Sequence, residues 1–337
     1  MATIMDVAEL AGVSIKTVSR VINNEDHVRP ALREQVLAAI GKLDYRPNLA
    51  ARQLAANRSF LISLVMYGGA NSYFSYIALA AATECRLHGH HLVSETFEEG
   101  ETGEQVIRRV TSHLRPDGII LAPPLCDDPA IVAAVERTGT PLVRLAGTGE
   151  LYGTVVHVHE DAVSTALVTH LIGLGHRRIG LIAPPTEGHG AAQGRVAGYR
   201  AALAAAEIAV DERLIQVGDF GFASGARAAE ALLSLRHRPT AIFAANDGMA
   251  LGAMALAAQR GFSVPADLAV AGFDDSPGSR MVYPPLTTVR QPFEAMARAA
   301  VAILLGREIA DEPLAHELLI RGSTSGAREL ILTGLDA

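Results

Sequence analysis

Apolar positions change their period along this chain, and the change divides it. Up to about residue 43 they recur at helical spacing in three short stretches. Thr3 is placed to cap a first helix that carries Val7, Ala8 and Leu10 inward and stops at Gly12, where glycine tolerates the positive φ of a tight turn. Ser14 then caps a second helix over 15–22 whose apolar side is Val18, Val21 and Ile22, leaving Ile15, Lys16, Ser19 and Arg20 outside. Two short helices joined around a glycine fit helix-turn-helix geometry, in which the start of the second helix reaches base edges in the major groove. A third helix over 30–43 closes the small core with Val36, Ile40 and Leu43. Asn48 then opens an alanine-rich segment over 49–56, too short to hold as a helix in water without support from a twin segment or DNA.

From residue 60 the pattern becomes short β-rich runs alternating with alanine-rich amphipathic stretches. Strands are expected at 60–66, 91–94, 118–121, 142–145, 155–158, 179–183, 215–217, 241–244 and 268–273, with helices between them, for instance at 77–87 and 129–137. Such alternation predicts an α/β fold of parallel sheets covered by helices on both faces. So many strands point to two lobes, with the ligand site outside the carboxyl ends of the strands.

Composition narrows the class. With 49% hydrophobic and 19% charged residues the chain is globular rather than disordered. Apolar runs such as 60–66 fall far short of the ~20 residues of a membrane helix, and the N-terminus does not read as an export signal. A cytoplasmic protein with no membrane partner is therefore expected, and Cys85 and Cys126 read as two reduced thiols. The net charge of −7 is unevenly spread: residues 1–58 carry eight basic and six acidic side chains, so the first part is slightly basic and the rest acidic. The asymmetry permits nucleic-acid binding at one end without demonstrating it. In the second helix, Lys16 or Arg20 can pair with guanine and Ile15 can touch a thymine methyl, while Ser14, Thr17 and Asn23 suit phosphates.

The order of residues adds a resemblance. Asp6-Val-Ala-Glu-Leu-Ala-Gly-Val-Ser-Ile-Lys-Thr-Val-Ser-Arg-Val-Ile-Asn, followed by Tyr45-Arg-Pro-Asn and by Ala50 to Leu54, closely resembles the head of the lac repressor family. Further on, His170-Leu-Ile-Gly-Leu-Gly-His-Arg-Arg-Ile-Gly, Arg195-Val-Ala-Gly-Tyr, Ala245-Asn-Asp-Gly-Met-Ala-Leu-Gly, Gly272-Phe-Asp-Asp and Pro284-Pro-Leu-Thr-Thr-Val-Arg-Gln-Pro look like that family's core signatures. The resemblance implies an all-α helix-turn-helix head over 1–46, a hinge helix and linker over 47–59, and a two-lobed core like that of periplasmic binding proteins over 60–330. The first lobe is expected at about 60–160 and 291–319, the second at about 161–290 and 320–330, with three crossings between them and a tail over 331–337.

The same resemblance implies roles. Ile15, Lys16 and Arg20 occupy base-reading positions; Thr3, Ser14, Thr17, Ser19, Asn23, Tyr45 and Asn48 occupy phosphate or positioning ones. Ala51 and Leu54 lie on the minor-groove hinge, where the family wedges a leucine between base steps. Arg29 and Leu32 replace the small hydroxyl residues usual at the start of the third helix, which puts phosphate contacts there in doubt. Arg195, Asn246 and Asp274 match positions that hold ligand hydroxyls, and Asp161 matches an inducer-contacting position. Tyr73, Phe74 and Phe220 offer faces for a sugar ring and also match positions of purine-sensing members, which leaves a nucleobase ligand open. Asn246 and Asp247 are also suited to capping the following helix, and Tyr73 and Phe74 to a core or dimer interface.

Enzyme readings find no support. His157 and His159 share a strand face but lack a third metal ligand, the glycines around 188–194 miss the dinucleotide spacing, and Ser224 does not sit in a nucleophile elbow. No cofactor is expected. Without a sustained heptad after Ile320, the family's tetramerising C-terminal coil has no counterpart, so a homodimer is expected, its face including helices near 76–87 and 248–258. The resulting expectation is a repressor that leaves a palindromic double-stranded operator when a small-molecule effector, a mono- or disaccharide, enters the cleft. A purine co-repressor and a non-regulatory sugar-binding protein are the alternatives.

Overall fold

The computed structural model describes residues 2–22, 28–45, 53, 58–68, 72–97, 100–185, 190–308 and 314–325, and the chain divides into two compact units, Met1–Ser59 and Phe60–Ala337. Each is considered by itself.

The described residues of the first unit include a head of three helices, α1 (Ile4–Leu10), α2 (Ile15–Ile22) and α3 (Pro30–Lys42). Thr3 caps α1 in a reciprocal capping box: its hydroxyl accepts from the Asp6 N–H while the Asp6 carboxylate accepts from the Thr3 N–H at 2.7 Å. Gly12 turns the chain at φ +60°, and Ser14 Oγ accepts from the Thr17 N–H at 3.2 Å to start α2. Val7, Ala8, Ala11, Val18, Val21, Val36 and Ala39 fill the core. Burying each valine contributes roughly 1.5–3 kcal/mol. Gln35 Nε2 donates to the Ala11 carbonyl at 2.9 Å, tying α3 to the turn. Leu10 departs from expectation and is exposed. Val7, Ala8 and Ala11 fix a narrow inward arc, and Leu10 lies roughly a quarter turn outside its centre.

The second unit holds two parallel sheets, as the alternating pattern predicts. The first has strand order β2-β1-β3-β4-β5, from β1 (Leu61–Tyr67), β2 (His91–Phe97), β3 (Gly118–Leu121), β4 (Leu142–Leu145) and β5 (Thr154–Val156). The second has order β7-β6-β8-β9, from β6 (Ile179–Ala183), β7 (Ile215–Val217), β8 (Ala241–Ala244) and β9 (Ala269–Ala271). Central strands such as β3, β6 and β8 are buried on both sides, which is why they read as continuous apolar runs. In the first lobe α4 (Ser72–Leu87) and α12 (Phe293–Leu304) cover one face, and α5 (Gly103–His113) and α6 (Pro129–Glu136) the other. In the second, α7 (Glu160–Gly173) and α8 (Gly190–Ala205) pack on one face, with α9 (Phe222–Leu233) and α10 (Asp247–Gln259) opposite. A short α11 (Pro277–Met281) follows β9.

Three crossings join the lobes. The chain passes from β5 into α7, returns through β10 (Thr288–Arg290) into α12, and comes back through β11 (Glu317–Leu319) to a last turn, α13 (Gly322–Ser325). β10 and β11 pair antiparallel with Val289 opposite Leu318, a ribbon absent from the sequence expectation. The later part of this strap is fastened to the second lobe: Thr324 Oγ1 meets Thr287 Oγ1 at 2.7 Å, and Ser323 Oγ donates to the Val270 carbonyl at 2.5 Å. Both thiols are buried and free, and burial pushes Cys85 up to about 12 and Cys126 higher still, so neither is a nucleophile near neutrality. Among the described residues no helix is long and apolar enough to cross a membrane.

Candidate functional site

A cleft of about 1130 Å³ opens between the lobes, at the carboxyl ends of both sheets. Its buried part is polar. Arg195 on α8 faces Glu160 at the first turn of α7 in a two-pronged pair, Nε to Oε2 at 2.8 Å and Nη2 to Oε1 at 2.9 Å. A further guanidinium nitrogen donates to the Ala245 carbonyl, and the guanidinium carbon lies 3.9 Å above the Phe273 ring. Asp274 stands 4.0 Å from Arg195, and Gln291 Nε2 donates to it at 2.7 Å. Burial pushes the Asp274 carboxyl up to about 7, against the pull of Arg195. Asp274 also holds φ at +114°, a conformation costly for a residue with a side chain, fixed here by its N–H on the Val289 carbonyl at 2.8 Å.

Asn246 caps α10, its Oδ1 accepting from the Met249 N–H at 2.9 Å, while its Nδ2 donates to the Phe220 carbonyl at 2.9 Å. The capping role held open in the sequence is therefore filled, and the residue still lines the cleft. Phe220, at φ +65°, is held in place by that amide. Asp247 faces away, accepting from the Ser276 N–H and the Thr288 hydroxyl, both at 2.6 Å; burial pushes it up to about 6 against those hydrogen bonds. Next door, Asp275 collects Arg280, Arg290 and Arg321. Burial works against its charge, but these hydrogen bonds prevail and hold it below the usual carboxylate range.

Tyr73 and Phe74 both line the cleft, because α4 begins five residues earlier than the sequence predicts. Tyr73 also belongs to the first-lobe core, its ring edge-on to Phe293 at 5.2 Å, and burial raises its hydroxyl well above the ordinary tyrosine value. One expectation is corrected. Asp161 is exposed and is not among the cleft-lining residues; Glu160, one position earlier on the same helix turn, takes the inward place. The sequence also gave no sign of Tyr67, Phe222, Asp127 or Asp219 at the cleft. Nor did it point to Arg144, a fully buried guanidinium that donates to the Cys126, Thr148 and Gly149 carbonyls and so holds the loops that carry Asp127.

In the head, Ile15, Lys16 and Arg20 are all exposed on α2, the placement a base-reading face requires. Ser14 is exposed, Thr17 and Ser19 half-buried, and the Thr3 hydroxyl is engaged with Asp6 at 2.9 Å. Tyr45 packs against the head core. Asn23, Asn48, Ala51 and Leu54 lie outside the described residues, as does the tail. No group of three metal-ligating side chains occurs among the described residues.

Comparison with known proteins matches both units. Residues 3–48 match the pattern of bacterial regulatory proteins of the lacI family, and residues 168–324 that of a periplasmic binding protein-like domain. The chain is 35% identical over 310 residues to the HTH-type transcriptional repressor PurR of Klebsiella pneumoniae (strain 342), covering 91% of this chain and 90% of that one. It is 34% identical over 323 residues to PurR of Escherichia coli O1:K1 / APEC, covering 94% of each. Among solved structures, the lac repressor dimer bound to operator and the anti-inducer ONPF superposes with TM-score 0.76 at 32% identity, over 96% of this chain and 99% of that one. The complex of the transcriptional regulator CelR with cellobiose gives TM-score 0.69 at 32% identity, over 96% and 100%. With a DNA-reading head, a two-lobed effector cleft and likeness over nearly its whole length, the chain belongs to the lacI family of DNA-binding bacterial transcriptional repressors.

Proposed function

We infer that this repressor occupies a palindromic operator as a homodimer and is released when a sugar enters the cleft. One observation carries the choice of ligand: Arg195, Glu160, Asp274 and Asn246 present fixed donors and acceptors within a cleft flanked by Phe74 and Phe220. Hydroxyls demand such paired donors and acceptors, and the apolar face of a sugar ring suits an aromatic side chain. The solved complex of a similar regulator with cellobiose supports the same ligand class.

One head enters each half-site, with Lys16, Arg20 and Ile15 at the base edges and Ser14, Thr17, Ser19 and Asn23 among the positioning contacts. Leu54 of paired hinge segments wedges into the operator centre, beside Ala51, and bends the duplex. Thr3, Tyr45 and Asn48 complete the positioning set. The sugar must bind the DNA-incompetent arrangement of the lobes more tightly than the competent one, since equal affinity shifts nothing. Exposed Leu79 and Leu87 on α4, with Met281 at the end of α11 and Tyr283 beyond it, supply apolar surface for the second copy.

The relatives named PurR favour a second reading, a purine that tightens DNA binding. One experiment separates the two. An operator selected from random duplex DNA by the full-length protein is titrated with protein, with mono- and disaccharides or purines added singly. Release by a sugar supports induction, tightening by a purine supports co-repression, and indifference to every sugar removes the first reading. Unchanged operator affinity and bending in Leu54→Ala would remove the hinge wedge.

A further inference from the structure

We propose, building on the sugar reading above, that the effector is a neutral oligosaccharide of two or more rings, and that the cleft rejects phosphorylated and acidic sugars. Among the described residues the lining carries five carboxylates, Asp127, Asp128, Glu160, Asp219 and Asp274, against one guanidinium, Arg195. Glu160 already pairs with Arg195. The cations just outside the lining are also matched, Arg144 lying 3.5 Å from Asp127 and Arg227 3.6 Å from Asp219. Asp274 shares Arg195 with Glu160 and Asp128 is left over, so among the described residues no cation of the lining stands without a carboxylate.

Helix N-termini are the other common device for holding phosphate. Two of those that open on the cleft, the starts of α6 and α10, are filled by the chain itself. The Asp128 carboxylate accepts from the Ala130 and Ile131 N–H groups at 2.8 and 3.1 Å at the start of α6, and Asn246 closes α10. Gly190, the first residue of α8, lies so close to Asp127 and Thr148 of the opposite lobe that a Cβ would strike both. A phosphate or carboxylate at the starts of α6 and α10 or beside the lining carboxylates would thus lose its hydration without finding a replacement. A hydroxyl, by contrast, donates readily to carboxylate oxygens.

Length follows from volume and from the aromatics. The cleft, at about 1130 Å³, exceeds the ~300–1,000 Å³ usual for drug-sized ligands. The chain has no tryptophan, seven tyrosines and nine phenylalanines, and five of these line the cleft. Phe74 and Phe220 stand half-buried, but Tyr67 and Phe222 are 38% and 54% exposed, forming an outer apolar pair contributed by both lobes. One ring held at the buried polar groups leaves that pair unused; a second ring covers it.

The test is thermal stabilisation and calorimetric binding of the full-length protein. The probes are glucose, cellobiose, maltose, lactose, their neutral trisaccharide homologues and phosphorylated counterparts, and adenine, guanine and hypoxanthine. A neutral di- or trisaccharide should bind at least about tenfold tighter than both its constituent monosaccharide and its phosphorylated form. Phe222→Ala should weaken that oligosaccharide about tenfold and leave the monosaccharide unchanged. A phosphorylated sugar or a monosaccharide bound as tightly overturns the proposal while leaving a sugar sensor standing. Stabilisation by a purine alone overturns both, and a panel in which no neutral oligosaccharide binds counts against the proposal.

Discussion

Arg195 and Glu160 meet edge to edge, two nitrogens on two oxygens at 2.8 and 2.9 Å, inside a cleft that neither charge leaves for water. They come from neighbouring helices, α8 and α7, which pack closely because a Cβ at Gly198 would fall onto the Asp161 backbone.

Removing one partner should therefore be severe. Glu160→Ala leaves a buried guanidinium with the Ala245 carbonyl and, as its nearest carboxyl, Asp274 at 4.0 Å, and is expected to cost about 3–5 kcal/mol of stability, as for other broken buried pairs. Urea denaturation measures the loss, and effector binding should fall with it. A change below about 1 kcal/mol would show the pair to be dispensable.

The two raised carboxyls set a pH dependence. A carboxyl whose folded value lies above its unfolded one holds its proton longer when folded, so its contribution to stability is largest below about pH 4. For Asp274 that contribution is lost as pH rises to about 7, and for Asp247 to about 6. Asp275 works in the other direction, losing stability as pH falls through its depressed value. Denaturation midpoints compared at about pH 5 and about pH 8 should therefore diverge less in Asp274→Asn than in the parent. An unaltered difference would mean that Asp274 ionises normally.

Helices α9 and α10 approach backbone to backbone at Gly225 and Gly252, where a Cβ would run into the Met249 and Phe222 backbones respectively. Gly225→Ala should cost about 1–3 kcal/mol through overpacking. It should also weaken effector binding, since the same contact seats Phe220 and Asn246. Calorimetry of the variant checks both effects, and full retention of affinity would separate the helix contact from the site.

Asp275 serves three arginines at once, and Arg321 among them sits on the last crossing. Asp275→Asn is expected to destabilise by about 2–3 kcal/mol, because hydrogen bonds to charged groups are individually strong. Arg280→Ala, whose arginine is half exposed, should cost less. An equal loss in both would contradict this ranking.

On the DNA side, Arg20→Ala should weaken selected-operator binding by about 1–3 kcal/mol and relax preference at one base pair. A uniform loss at every position, with a shallower salt dependence, would assign Arg20 to phosphate instead.

Much of this was legible in the residue order. The head was readable because its core valines keep helical spacing on either side of Gly12, and the sheets because doubly buried strands such as Ile179–Ala183 are unbroken apolar runs. Glu160 was not readable. It and Asp161 are adjacent carboxylates about 100° apart on one helix, and which faces the cleft depends on how α7 packs against α8 rather than on α7 alone. Strands β10 and β11 escaped notice because three residues carry no period, and their pairing spans a whole intervening helix. Nothing in Leu-Val-Arg-Leu pointed to Arg144, whose burial is tolerable only because carbonyls of two loops surround it.

The self-satisfied floor of the cleft has an evolutionary consequence. Since Arg195, Glu160, Asp274 and Asn246 are already bonded to the protein, they keep the second lobe's side of the cleft in one arrangement whatever occupies the space above them. On the proposed reading, side-chain changes at the exposed Tyr67 and Phe222, neither of which shares a side-chain hydrogen bond with that floor, would redraw the accepted ligand without unsettling it. Descendants of such a chain are free to acquire new diets while inheriting the same switch.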